Sequence, residues 1–367
     1  MKKIFISAGD PSGEIHAARL MKQIKEQSGE VEFTGLGGEN MIKEGLHPLA
    51  KLSDISVVGF WEVAKRYGFF KSLLNKCRNI ISKDIDIFIP VDYPGFNIRL
   101  AGYAKEAGIP VTYYIAPQLW AWGKNRAKKL GAVVDKLLVV FPFEVEYFRN
   151  FGIDAVFTGH PLMDDPVFAD DPPGFGARKK LIALLPGSRD QEVKSHLPVL
   201  KKCADKIRAT MPEYEFGIGV SRTVDERLYN DFIAVNDGFR LYENTREMML
   251  QSRAGIVKTG TSTLEAALCG MPFAMFYKTS LLTYYMGRYL VNLPHISLVN
   301  IISGKAAVKE FVQNDFRPAA VAAEIGRIIK DDDYRNNMLG DFQSIRKELG
   351  GEGASKKAAE EILKLLK

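Results

Sequence analysis

Three times along this chain an apolar run of β type breaks into small residues and then enters a helix. The first run is Lys3–Ala8, followed by Gly9-Asp10-Pro11-Ser12-Gly13; the second is Leu181–Leu185, followed by Pro186-Gly187-Ser188-Arg189. The third is Ala254–Val257, followed by Lys258-Thr259-Gly260-Thr261-Ser262-Thr263. Such a turn aims free backbone N–H groups and the positive end of a helix dipole at one spot, where an anion can sit. One such turn in the first half and two in the second point to two facing α/β domains with a phosphate-bearing ligand between them. The 367 residues are too many for one ordinary core and fit two domains of roughly 150–200 residues.

Strand and helix patterns alternate almost throughout, which predicts parallel sheets covered on both faces. Domains are expected over 1–168 and 177–345. The Pro/Gly/acid stretch Ala169–Gly176 would join them, and a C-terminal helix in 346–367 would pack back on the first domain. A formal charge of +6 is compatible with nucleic acid, anionic lipid or nucleotide and selects none of them. Cys77, Cys203 and Cys269 show neither CxxC spacing nor an even count, which predicts a reducing compartment. Met1–Ala8 meets acid too early to be a signal-peptide core, and no uncharged apolar stretch reaches about 18 residues.

Each motif has a functional reading and a structural one. At Gly187-Ser188-Arg189 the loop amides, hydroxyl and guanidinium could cradle a diphosphate, or Ser188 could simply cap a helix. At Lys258–Glu265 the small residues Gly260, Thr261, Ser262 and Thr263 could hold phosphate. Glu265, expected on the first helical turn, could then hold ribose hydroxyls or close a capping box. Gly9–Glu14 is neither GxGxxG nor a P-loop; Gly13 would permit close approach, with Ser12 as an alternative cap. Asp92 ends a buried strand at Pro94-Gly95, the edge that faces the ligand crevice in open sheets, where a carboxylate can act as general base.

Asp84 and Asp86 fall at the opposite edge and read as solvated, Asp164-Asp165 as an exposed acidic turn. The histidines lack metal spacing, so no metal or other cofactor is expected. Trp120 and Trp122 could stack on a sugar or acyl chain or pack the domain. Phe60–Arg78, with Trp61, Phe69, Phe70 and Lys71, suits an anionic membrane surface or equally a core helix with a basic face.

These motifs together resemble one family, the lipid-A-disaccharide synthases of Gram-negative bacteria. The matching stretches are SAGDPSGEIHA (7–17), VDYPGFN (91–97), YIAPQLWAWGKNR (114–126), PFE (142–144), TGHPL (158–162), LLPGSRDQEV (184–193), TGTSTLEAALCG (259–270) and ISLVNII (296–302). They run nearly the whole chain in the family's order. Two positions depart: Val299 replaces a frequent proline, and Lys258 a frequent small residue.

The resemblance implies a GT-B fold, two Rossmann-like domains with parallel sheets facing across a cleft. It also implies a metal-independent reaction of UDP-2,3-diacylglucosamine with the 6-hydroxyl of 2,3-diacylglucosamine 1-phosphate. Its products would be a β-1,6 disaccharide and UDP, with inversion at the anomeric carbon. In that scheme Asp92 takes the acceptor proton and Arg189 with the two loops meets the diphosphate. Glu265 holds the ribose, and Asn300 contacts the nucleotide or orders its loop. Ser12, Gly13, Glu14, Trp120 and Trp122 lie on the acceptor side, and the 60–78 segment faces lipid. The family sits peripherally on the cytoplasmic face of the inner membrane, and at least one member forms a domain-exchanged homodimer.

There are two rival readings, the second from a different class. One is a different GT-B enzyme of UDP-aminosugars, an N-acetylglucosaminyltransferase or a UDP-N-acetylglucosamine 2-epimerase. The other is a non-catalytic nucleotide- or lipid-binding peripheral protein, which leaves Asp92 and two phosphate loops unused. For nucleic acid the chain offers no reading element.

Overall fold

The computed structural model describes residues 1–56, 66–122, 124–221, 223–230, 233, 238–280, 284 and 293–366. The chain divides into two compact units, Met1–Asp165 with Leu349–Lys367 and Pro166–Glu348. Each is built on one parallel sheet.

The first unit carries seven strands in the order β3-β2-β1-β4-β5-β6-β7. They are β1 (Lys2–Ala8), β2 (Val31–Leu36), β3 (Leu46–Pro48), β4 (Ile87–Val91), β5 (Thr112–Tyr114), β6 (Lys136–Val139) and β7 (Ala155–Phe157). Ile4–Ala8 and Ile87–Val91 are buried along their whole length. Helices cover both faces of the sheet, so the central strands read as continuous apolar runs rather than alternating ones. One face is closed by α1 (Pro11–Ser28) and the other by α2 (Tyr67–Asp84) and α3 (Pro94–Glu106). On α2 the buried residues are Leu73, Cys77 and Ile81, spaced four apart.

The last helix, Ala354–Leu363, lies against α1 and adds Ala358, Ala359 and Ile362 to that unit's core. Asp164 fixes its start. One carboxylate oxygen accepts from the amides of Gly353 (2.8 Å) and Ala354 (2.9 Å), the other from Ser355 (2.8 Å). Asp165 meanwhile pairs with Arg19 at 2.6 Å. The expected exposed acidic turn is therefore a helix cap and an ion pair. The edge expected at 345 falls inside the helix Asp332–Glu348, which belongs wholly to the second unit.

The second unit has six strands in the order β10-β9-β8-β11-β12-β13. They are β8 (Lys179–Leu185), β9 (Glu215–Gly219), β10 (Phe239–Tyr242), β11 (Ser252–Lys258), β12 (Phe273–Tyr277) and β13 (Glu310–Val312). In each sheet the strand order reverses between two central neighbours, β1/β4 in the first and β8/β11 in the second. Open parallel sheets bind ligands at the carboxyl ends of the strands at such switch points. The three glycine turns and Asp92 all fall there.

Candidate active site

At the first switch point, β1 ends in Gly9-Asp10 and β4 in Asp92-Tyr93. Asp10, rather than Ser12, caps α1: its Oδ1 accepts from the amides of Ser12 (3.0 Å) and Gly13 (2.9 Å). A side chain at position 9 would run into the Tyr93 ring. Asp92 and Tyr93 are successive non-glycine residues at positive φ, 44° and 51°. Left-handed backbone of this kind costs on the order of 1 kcal/mol or more per residue and persists only where neighbours hold it. The holders are visible. Tyr113 donates its hydroxyl to the Asp92 carbonyl at 2.6 Å, and Asn97 Nδ2 donates to the same oxygen at 2.9 Å. Asn97 also joins β1, accepting from Ser7 Oγ (2.7 Å) and donating to the Ser7 carbonyl (3.0 Å).

The Asp92 carboxyl is half-buried. Loss of water pushes its pKa up to about 7, the Asp10 charge adds to the rise, and a hydrogen bond from the Tyr93 backbone opposes it. A carboxyl that titrates near neutrality can take up a proton without being a weak base. A second carboxyl, that of the buried Glu144, behaves alike. It stands at the start of the helix α4 (Pro142–Arg149), accepts from Trp120 Nε1 (2.9 Å) and the amides of Val140 (3.2 Å) and Phe141 (3.1 Å), and is also raised to about 7 by burial. Glu144 was visible in the sequence only as part of PFE. Its role as the anchor of Trp120 needed the fold.

Glu14 and Trp120 have structural partners. Glu14 is buried and accepts from Asn40 N (2.6 Å), Asn40 Nδ2 (2.8 Å) and Met41 N (3.1 Å), which fixes the helix Glu39–Lys43. Trp120 is half-buried, with Phe143 edge-on to its ring at 5.3 Å. The Trp122 side chain and Trp61 lie outside the described residues. On α2, Phe69 is 40% exposed and Lys71 is exposed, whereas Phe70 packs partly against the core.

At the second switch point, β8 passes through Pro186–Arg189 into α5 (Asp190–Thr210). Gly187 adopts φ 124°, a region that side chains rarely enter. Two hydrogen bonds pin the loop. Thr223 Oγ1 donates to the Ser188 carbonyl at 2.7 Å, and buried His196 lies 2.6 Å from the Pro186 carbonyl by Nδ1 and 3.1 Å from the Lys278 carbonyl by Nε2. Ser188 itself makes no cap; the N-cap is Arg189, without a side-chain bond.

Glu192, on the first turn, accepts from the Ser188 amide at 3.1 Å. It also pairs with Arg189 Nη1 (3.4 Å) and Lys258 Nζ (2.7 Å). Although burial opposes ionisation, the Lys258 bond and the other donors hold its pKa below the ordinary carboxylate value.

Beside it, β11 ends at Lys258, and Gly260 begins α7 (Thr261–Leu268). Thr263 Oγ1 donates to the Gly260 carbonyl at 2.7 Å, and Gly260 is the N-cap, with no side-chain bond, so no capping box forms. Glu265 lies on the second turn rather than the first. Its Oε1 accepts from Arg246 Nε (2.9 Å) and Nη2 (2.6 Å), where Arg246 belongs to α6 (Thr245–Gln251). Asn300 is buried and fully engaged, donating to the Val308 carbonyl and to Glu310 Oε1 and accepting from the Val308 amide, each at 2.9 Å. These bonds tie Asn300 to the segment leading into β13. Glu310 in turn accepts the amides of Ile296 (3.1 Å) and Ser297 (2.8 Å).

Among the described residues, no group of three or more His, Cys, Asp or Glu could hold a metal ion. No helix among them is long and apolar enough to cross a membrane.

Comparison with known proteins gives one answer. The lipid-A-disaccharide synthetase family matches residues 4–364. The lipid-A-disaccharide synthase of Anaeromyxobacter dehalogenans (strain 2CP-1) is 36% identical over 380 residues, covering 100% of this chain and 98% of its own. Among solved structures, an S. aureus MnaA-UDP co-structure (TM-score 0.67, 13% identity) and the calicheamicin glycosyltransferase CalG4 (TM-score 0.63, 12% identity) each align with 100% of this chain and 98% of their own. At that identity they show the architecture alone, the GT-B arrangement of two doubly wound sheets. The chain belongs to the lipid-A-disaccharide synthetase family, whose members are GT-B glycosyltransferases of lipid A synthesis.

Proposed function

We propose that this enzyme condenses UDP-2,3-diacylglucosamine with 2,3-diacylglucosamine 1-phosphate, giving lipid A disaccharide 1-phosphate and UDP with inversion at the donor anomeric carbon. The acceptor 6-oxygen forms a bond to that carbon while the bond from the carbon to the diphosphate oxygen breaks. Its electron pair leaves with UDP, and the acceptor proton passes to Asp92.

The observation that carries the reading is the pairing of chemistries. One switch point offers a carboxyl raised to about 7, and the other offers loop amides with Arg189 and Lys258. Charge that develops on the departing diphosphate is stabilised by donors already in place, which is commonly the largest catalytic contribution. We assign that work to the Gly187–Arg189 and Gly260–Thr263 loops, with no metal required. We assign Glu265, whose Oε1 accepts from Arg246, to the ribose.

Both substrates carry acyl chains, so the enzyme would work at the cytoplasmic surface of the inner membrane. Tyr67 (63% exposed) and Phe69 (40% exposed), beside Arg66 and Lys71 at the start of α2, are the described residues suited to it. Mass spectrometry of the products formed from the two diacylglucosamine substrates tests the condensation, and the anomeric proton coupling of the new linkage tests the inversion. The expected product has the mass of the disaccharide 1-phosphate. Both substrates recovered at their own masses, or hydrolysed donor beside intact acceptor, would refute it.

A further inference from the structure

The Glu192 carboxylate is bonded to the groups that a diphosphate would need. It receives the Ser188 amide, pairs with Arg189, and holds Lys258 at 2.7 Å, so it bridges the ends of β8 and β11 at the switch point. The backbone that carries these donors has anchors other than Glu192. Lys258 closes a strand that is paired on both sides, the Ser188 carbonyl is tied to Thr223, and the Pro186 carbonyl meets His196. A carboxylate and a phosphate oxygen accept the same charge-assisted bonds. Two anions cannot share these donors at full strength, because an ionised carboxylate beside a phosphate is repelled by it.

We propose that Glu192 is a displaceable internal anion: its carboxylate competes with the nucleotide diphosphate for Ser188, Arg189 and Lys258, and so weakens UDP binding and favours UDP departure. This inference rests on the reading that the 187–189 loop holds the diphosphate.

The role is one of tuning affinity, and it has a signature that a merely structural residue lacks. Removing the negative charge should tighten ligands that carry the diphosphate and leave the nucleoside alone. The test is calorimetric titration of the full chain with UDP and, separately, with uridine, for the parent, Glu192→Gln and Glu192→Ala, each checked by thermal melting. Both variants should bind UDP at least about 3-fold more tightly with uridine affinity unchanged. Unchanged or weaker UDP binding in a folded variant, or an equal gain for uridine, would overturn the competition. A parent protein that binds no UDP, or an Arg189→Ala variant that binds it as well as the parent, would instead overturn the diphosphate site itself.

Discussion

The two switch points share a topology and differ in charge. The one in the first unit gathers carboxyls, Asp10 capping α1 and Asp92 on a left-handed turn, with Glu144 under Trp120 past the end of β6, two strands along the sheet. The one in the second unit gathers donors: the Ser188 amide, Arg189, Lys258 and Arg246, met by Glu192 and Glu265. A doubly wound sheet thus fixes where chemistry happens, and the residues at its strand ends decide which chemistry. Proton acceptance calls for a carboxyl partly stripped of water, and leaving-group binding calls for fixed positive potential.

Four experiments press on this contrast, from the largest expected effect to the smallest. Asp92→Asn should lower turnover by roughly 10²–10⁴-fold, the usual loss for a general base. In the parent, kcat should fall as pH drops through about 7, where Asp92 takes up its proton, and that limb should vanish in the variant. Retention of the limb would assign it to another group. Arg189→Ala should cost about 10²-fold or more in kcat, measured at saturating donor; full activity would remove it from the leaving-group site.

The third experiment uses stability. The Asp92 carboxyl has its pKa raised in the folded protein, so folding is favoured by its neutral form. The favourable state holds below the unfolded value near 4 and is lost as pH rises to about 7. Above pH 7, Asp92→Asn should therefore be more stable than the parent, on the order of 1–3 kcal/mol, with the gain shrinking toward pH 4. Denaturant unfolding at the two pH values checks this, and a gain independent of pH would contradict it. Last, Tyr67→Ser with Phe69→Ser should reduce binding to anionic vesicles by about 10-fold or more while leaving UDP affinity unchanged. Sedimentation with phosphatidylglycerol vesicles reads the first, and equal vesicle binding would place the lipid contact elsewhere.

Much of this was legible in the chain. Apolar runs ending in glycine turns placed the central strands and the loops Gly187–Arg189 and Gly260–Thr263, because helices on both sheet faces leave an unbroken hydrophobic signature. Asp92 was legible for the same reason, as an acid at the end of a buried strand. What stayed hidden was pairing across long sequence separations. Nothing near Asp164 reveals that it caps a helix nearly 190 residues later, and nothing near Asn300 or Glu14 shows that backbone amides occupy them. Glu265 was expected a turn too early because the cap falls on Gly260 and not on a hydroxyl residue. Nothing in the sequence sets Glu192 beside Lys258, 66 positions on.

The division of labour between the two strand-end clusters is tested most directly by locating the nucleotide. Titration of isotope-labelled protein with UDP, followed by amide resonances, should shift Gly187–Arg189 and Gly260–Thr263 and leave Gly9–Gly13 in place. Shifts concentrated at Gly9–Gly13, with the two second-unit loops silent, would contradict the account.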